Sequence, residues 1–337
     1  MDSTLHMPPR LTTPDGSPRR VGVELEFADL DAPSAARLVR ELYGGTIEVE
    51  DPHRCRVTGT RLGDFTVELD MRSAHPEKKA DADAETEPGA LDTMLEKLRP
   101  LWGRIGSLVM PFEIAAPPVP FDRLPELEAL IRGLRERGAA GTEASPLFAF
   151  GLHFNPEVAA DDADYLVDHL KAFLILSPWL RSEIQVDPTR RLTGFIAAFP
   201  IDYAAKVVDP AYRPDRAALI ADYLAANPTR NRELDLFPLF AHLAPDTLFA
   251  AVKDPHVRPR PTFHYRLPNA RIGDPGWSLA QDWNRWVTVE ELAADRGRLD
   301  SLGAAYRDFA QRKDLDGWAA EAGQHLAGQH IAGRLAG

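Results

Sequence analysis

The chain has 337 residues, 44% of them hydrophobic and 27% charged, which leaves room for one large domain or two around a sizeable core. A net charge of −12 excludes a general affinity for nucleic acid, so an anionic substrate would need local positive charge or a metal ion. The single cysteine, Cys55, excludes an intrachain disulfide framework and a thiolate metal centre. The polar start Met1–Arg20 and the lack of an uninterrupted apolar run of about 18 residues predict a cytoplasmic protein with no membrane partner.

Residues 1–19, with Pro8, Pro9, Pro14 and Gly16, read as a flexible N-terminal arm. Val21–Phe27 then alternates strictly, as a half-buried strand does: Val21, Val23, Leu25 and Phe27 point one way, Gly22, Glu24 and Glu26 the other. Ala35–Tyr43 has helical spacing and stops at Gly44-Gly45. Short strands are predicted at Thr46–Val49 and Cys55–Thr58, followed by the alternating stretch Phe65–Asp70. Ala74–Gly89, dense in charge and proline, reads as an exposed loop, and Leu91–Val109 as an amphipathic helix kinked at Pro100. Phe112–Ile114 is a short strand, and Asp122–Arg137 a periodic helix. Phe148–Asn155 alternates again, with Ala149, Gly151, His153 and Asn155 on one face.

From Asp161 the texture becomes helical, capped by Asp161-Asp162. The turn Asp187–Gly194 presents Arg190 and Arg191. Helices are predicted over about 214–226, 231–243 and 245–252, then the strand Phe263–Leu267, then helices over about 278–296, 300–312 and 315–334. Trp277, Trp283 and Trp286 read as core or pocket wall, and His325 and His330 as part of a helical tail.

If the five alternating strands share one sheet, its polar face collects Glu24, Glu26, Glu68, Asp70, Glu113, His153, His264 and Arg266. Carboxylates crowded on a sheet repel unless a cation sits among them, and this inventory suits a hard divalent cation and the phosphates it neutralises. Taken singly, each residue has a plainer reading. Glu24 and Glu26 could be solvent-facing strand acids, His153 a hydrogen-bonded core histidine, and Arg266 the partner of a buried acid. Five such strands together favour a site.

The strand with Glu24 and Glu26, Val67-Glu68-Leu69-Asp70 with Ser73 behind it, Phe112–Pro117, Gly151-Leu152-His153-Phe154-Asn155, and Phe263-His264-Tyr265-Arg266 occur in the order seen in amidoligases. Over roughly residues 20–295 the chain resembles that family, within the carboxylate–amine/ammonia ligase superfamily of glutamine synthetase and glutamate–cysteine ligase. The resemblance implies an α+β fold like the glutamine synthetase catalytic domain, a curved antiparallel sheet with helices packed on its apolar face. A catalytic domain over 20–297 would carry a helical insertion at about 157–260, with a helical extension at 298–337.

The resemblance further implies an ATP-dependent ligase that joins a small-molecule or peptide carboxylate to an amine through an acyl phosphate. The cofactors would be ATP and Mg2+, with Mn2+ as an alternative. Carried over by motif, Glu24, Glu26, Asp70, Glu113 and His153 would be metal ligands. ATP would fall to Arg266 together with Glu24 and His153, and Arg190 or Arg191 would form a second cationic clamp. Glu68 lies outside the matched positions and reads as structural. The family has glutamate two residues before the strand arginine, where this chain has His264, so His264 inherits a metal-ligand position with one negative charge fewer. That departure keeps a second function open, a catalytically impaired or regulatory relative that binds a nucleotide or peptide.

Overall fold

The alternating strands do form one sheet. In the computed structural model, which describes residues 4–69, 111–145, 148–187, 190 and 196–335 (side chains through 327), eight strands pair in one open antiparallel sheet. They are β1 (Arg20–Phe27), β2 (Thr46–Asp51), β3 (Arg54–Thr60), β4 (Gly63–Leu69), β5 (Phe112–Pro120), β6 (Leu152–Pro156), β7 (Leu234–Asp235) and β8 (His264–Tyr265). Their spatial order is β2-β3-β4-β5-β1-β6-β8-β7, so β1 lies inside the sheet, flanked by β5 and β6. Expected features at Asp70, Ala74–Gly89, Leu91–Val109 and Arg191 lie outside the described residues.

Ten helices accompany the sheet among the described residues. α1 (Ala32–Tyr43) is capped by Asp31, whose side chain accepts from the Ser34 amide, and stopped by Gly44 at φ 80°. It lies under β2–β4, where Tyr43 stacks on Phe65 with ring centroids 5.3 Å apart. α3 (Ala163–Ile184) and α8 (Leu279–Ala294) pack together. Trp283 of α8 meets Phe154 of β6, and Trp286 meets Tyr265 of β8, so both tryptophans are core. The apolar side of the sheet is thereby sealed, and the polar side is left for chemistry.

The remaining helices are α2 (Glu128–Glu136), α4 (Ile201–Val207), α5 (Arg216–Ala226), α6 (Phe237–Leu243), α7 (Pro245–Ala251), α9 (Arg296–Gln311) and α10 (Leu315–Leu335). Two differ from the helices expected at those places. The helix expected from Asp122 opens as a 3₁₀ segment over Phe121–Leu127, because Pro125 has no N–H to give, and becomes α-helical only from Glu128. The helix expected over 231–243 begins at Phe237 with Pro238 in its first turn, while Leu234–Asp235 is drawn into the sheet as β7.

The described part of the stretch expected as a loose arm, from residue 4 on, is tied down. The His6 amide donates to Asn284 Oδ1 (2.8 Å), the Trp283 indole donates to the His6 carbonyl (2.9 Å), and the buried Arg19 grips Glu290 with both terminal nitrogens (2.7 and 2.8 Å). A guanidinium that sheds its water needs such a bidentate partner, and α8 supplies it. The region expected as a helical insertion includes α3, which is buried along most of its length.

Candidate functional site

Register decides which polar side chains meet. Glu26 of β1 lies opposite Glu113 of β5, and Glu113 lies opposite Glu68 of β4, so three carboxylates form a row across the sheet. Glu24 lies opposite His153 of β6, and Gly22 opposite Asn155. His264 of β8 lies opposite Asp235 of β7. Because cross-strand partners share a face, one polar surface carries all of these groups. Glu26, Glu113, His153, Asn155, Asp235 and His264 are all buried.

Glu24 is the hub of the hydrogen bonds. Its Oε1 accepts from Asn155 Nδ2 (3.0 Å) and Arg260 Nη1 (3.2 Å), and its Oε2 lies 3.2 Å from His153 Nδ1. Asn155 in turn places its Oδ1 2.5 Å from His264 Nδ1. Burial works to raise the Glu24 carboxyl, but His264, the hydrogen bond from His153 and the Arg260 guanidinium outweigh it and hold it well below the usual carboxylate range. Burial, aided by Arg266, keeps His264 itself neutral, so near pH 7 the pull on Glu24 comes from His153 and Arg260. Burial also brings His153 down to about 4, against the hydrogen bond to Glu24 that favours its protonated form.

Above this floor lies a cavity of about 510 Å³. Its lining mixes acids and an imidazole, Glu24, Glu68, Glu113, Asp235 and His264, with the guanidinium residues Arg54, Arg230, Arg258, Arg260 and Arg266. Arg266 donates to Asp235 Oδ2 at 3.2 Å, so the buried acid neutralises part of its charge while the residue still borders the cavity. Glu68 reaches the cavity too, paired with Arg54 at 3.2 Å on a partly exposed surface.

The second clamp expected at Arg190 is placed differently. Its guanidinium is buried and donates to the carbonyls of Arg266, Leu267 and Pro268 and to Asn269 Oδ1. Burial lowers it to about 10, which leaves it charged at neutral pH. It therefore braces the chain just after β8. Gly151 makes room for this, since a Cβ there would fall 2.7 Å from both Arg190 Nη2 and His153 Nε2.

Three further site residues had no role in the sequence reading. Asn155 stood on the correct face of its strand, and its position two residues after His153 was the available signal. Arg260 sits in Arg258-Pro259-Arg260-Pro261, an extended proline-punctuated run leading into β8, where alternating arginines could have pointed to one face. Asp235 gave no local signal, because its neighbours read as helix.

A divalent cation fits the donors present. Ligand atoms of Glu26, Glu113 and His153 lie within 4.8 Å of one another, as do those of Glu24, His153 and His264. Two buried carboxylates facing each other across adjacent strands, beside a neutral imidazole, match what oxygen- and nitrogen-seeking divalent ions require. Among the described residues, no helix is long and apolar enough to cross a membrane.

No curated protein and no solved structure matches the chain. A family model described as "Putative amidoligase enzyme" matches residues 17–288, a span that holds every strand named above and most of α8. The chain belongs to that amidoligase family.

Proposed function

We propose that the protein is an ATP-dependent carboxylate–amine ligase with a glutamine synthetase-like catalytic sheet, and that the polar face of the sheet is its active site. The observation that carries this reading is the Glu26–Glu113–His153 group, whose Glu113 borders a cavity that five arginines also line. An acidic floor alone would repel ATP, and an arginine wall alone would bind any anion. A cavity of about 510 Å³ lined by both acids and arginines suits a polyphosphate carried with its cation.

In this reading a carboxylate oxygen of one substrate attacks the γ-phosphorus of ATP, and the bond to the β,γ-bridging oxygen breaks to release ADP. An amine then attacks the acyl carbon of the acyl phosphate, inorganic phosphate leaves, and the amine nitrogen loses a proton. Glu26, Glu113 and His153 would hold the divalent cation, which supplies charge neutralisation on the phosphates. Arg266, steadied by Asp235, and Arg260, steadied by Glu24, would meet the phosphate oxygens. Arg190 would keep the β8 segment at the height that sets Arg266.

The test is a screen for phosphate release with ATP, Mg2+ or Mn2+, and pairs drawn from amino acids, polyamines and short peptides. Release that requires both a carboxylate and an amine is expected, and its absence with every pair would refute ligation. His264, an imidazole where the family resemblance places an acid, favours a second reading as a catalytically impaired nucleotide-binding relative. ATP binding by calorimetry without turnover under any of these conditions would support that reading instead.

A further inference from the structure

Glu24 was expected as a metal ligand, yet its two oxygens already receive Asn155, Arg260 and His153. An ionised carboxylate can only accept hydrogen bonds, so His153, at 3.2 Å through Nδ1, must carry its proton on that nitrogen. Its Nε2 is then left with a lone pair, and this atom lies 4.0 Å from Glu26 Oε1. A cation at about 2.0–2.2 Å could take both as ligands.

The same logic passes through Asn155. Its Nδ2 donates to Glu24, which fixes the amide orientation and turns Oδ1 toward His264 Nδ1. An amide oxygen is also only an acceptor, so His264 too carries its proton on Nδ1 and keeps its lone pair on Nε2. One carboxylate, directly on one side and through one amide on the other, thus sets the tautomer of two histidines.

We propose that Glu24 is a positioning residue, which with Asn155 orients His153 and His264 as Nε2 donors, and that the site prefers a transition-metal cation such as Mn2+ to Mg2+. The inference rests on the reading that this face binds a divalent cation. Mg2+ favours an all-oxygen shell, whereas imidazole nitrogen is an ordinary ligand for Mn2+ and the later divalent metals. Carboxylate or carbonyl partners on the far nitrogen of a ligating histidine are a recurrent device for fixing ring orientation and basicity.

The experiment uses the full-length, metal-free protein labelled with 15N-histidine. Two-bond proton–nitrogen correlations, assigned with His153→Gln and His264→Gln, report the tautomer of each ring without any metal or turnover. Both rings are expected as Nδ1–H. Asn155→Leu should release His264 to a mixed tautomer while His153 keeps its own, with the fold checked by circular dichroism.

Calorimetry with MnCl2 and MgCl2 alone is expected to show Mn2+ binding at least about tenfold more tightly, and Asn155→Leu losing on the order of tenfold in Mn2+ affinity. An Nε2–H tautomer at either histidine of the wild-type protein overturns the positioning role whether or not the variant folds. Mg2+ binding as tightly as Mn2+ overturns the metal preference. Nδ1–H at both rings with no binding of either cation would refute the cation reading itself and leave the positioning role of Glu24 supported.

Discussion

Replacing His169 with phenylalanine should flatten the acid limb of the protein's stability. His169 sits on α3 away from the polar face, 5% exposed, with Nδ1 2.8 Å from the Tyr165 carbonyl and its ring stacked on Phe263 at 5.3 Å. Burial, assisted by Arg19 and Arg10, brings its pKa from 6.5 down to about 4, against Glu290 and the Tyr165 hydrogen bond that favour the protonated form. The unfolded chain therefore binds the proton more readily than the folded one. The stability that depends on a neutral His169 is complete above pH 6.5 and drains away as pH falls toward 4.

The gap between 6.5 and about 4 is worth roughly 3 kcal/mol once both values have been passed. His169→Phe keeps the aromatic stack and removes the proton site, and it gives up one hydrogen bond worth about 1 kcal/mol. Urea unfolding followed by tryptophan fluorescence at steps from pH 7.5 to 4.5 measures both effects. The variant should be about 1 kcal/mol less stable at pH 7.5 and should equal or exceed the wild type near pH 4.5. Because His153 titrates in the same window, the difference between the two proteins is the relevant quantity. Parallel curves would refute the argument that burial holds His169 neutral.

Gly151→Ala should cost on the order of 2 kcal/mol by overpacking, since the new Cβ would stand 2.7 Å from Arg190 and His153, and cation binding should weaken with it; a variant with wild-type melting and affinity contradicts the tight floor. Asp235→Asn removes the charge facing Arg266 while preserving shape, so stability should fall by about 3 kcal/mol. ATP should then raise the melting temperature of that variant by more than it raises the wild type's, because phosphate would replace the lost carboxylate. An equal or smaller shift would argue that Arg266 does not meet phosphate.

The parts of the site that lie on regular strands were legible because a period of two leaves a visible trace. Glu24, Glu26, Glu113 and His153 each alternate with residues that are now core, and their register brings them into one surface. Asp235 was hidden for the opposite reason: β7 is two residues long, and what makes it a strand is its pairing with β8, thirty residues on. The anchoring of the N-terminal arm was hidden likewise, since the partners of His6 and Arg19 lie on α8. Arg190 was expected, with Arg191 as the alternative, as a second cationic clamp implied by the family resemblance, but only the fold reveals that it donates to backbone carbonyls. Hydrogen-bond direction around Glu24, on which the roles of both histidines turn, has no counterpart in sequence periodicity.

The central claim, that the acids and arginines around the cavity together activate a carboxylate with ATP, is tested most directly by trapping the acyl phosphate with hydroxylamine. The protein is incubated with ATP, a divalent cation, hydroxylamine and each carboxylate of a panel, and ADP and hydroxamate are measured together. The account predicts equal amounts of ADP and hydroxamate with the accepted carboxylate, dependent on the cation and lost in Glu26→Gln and Glu113→Gln. ADP without hydroxamate for every carboxylate, or undiminished hydroxamate in both variants, would contradict it.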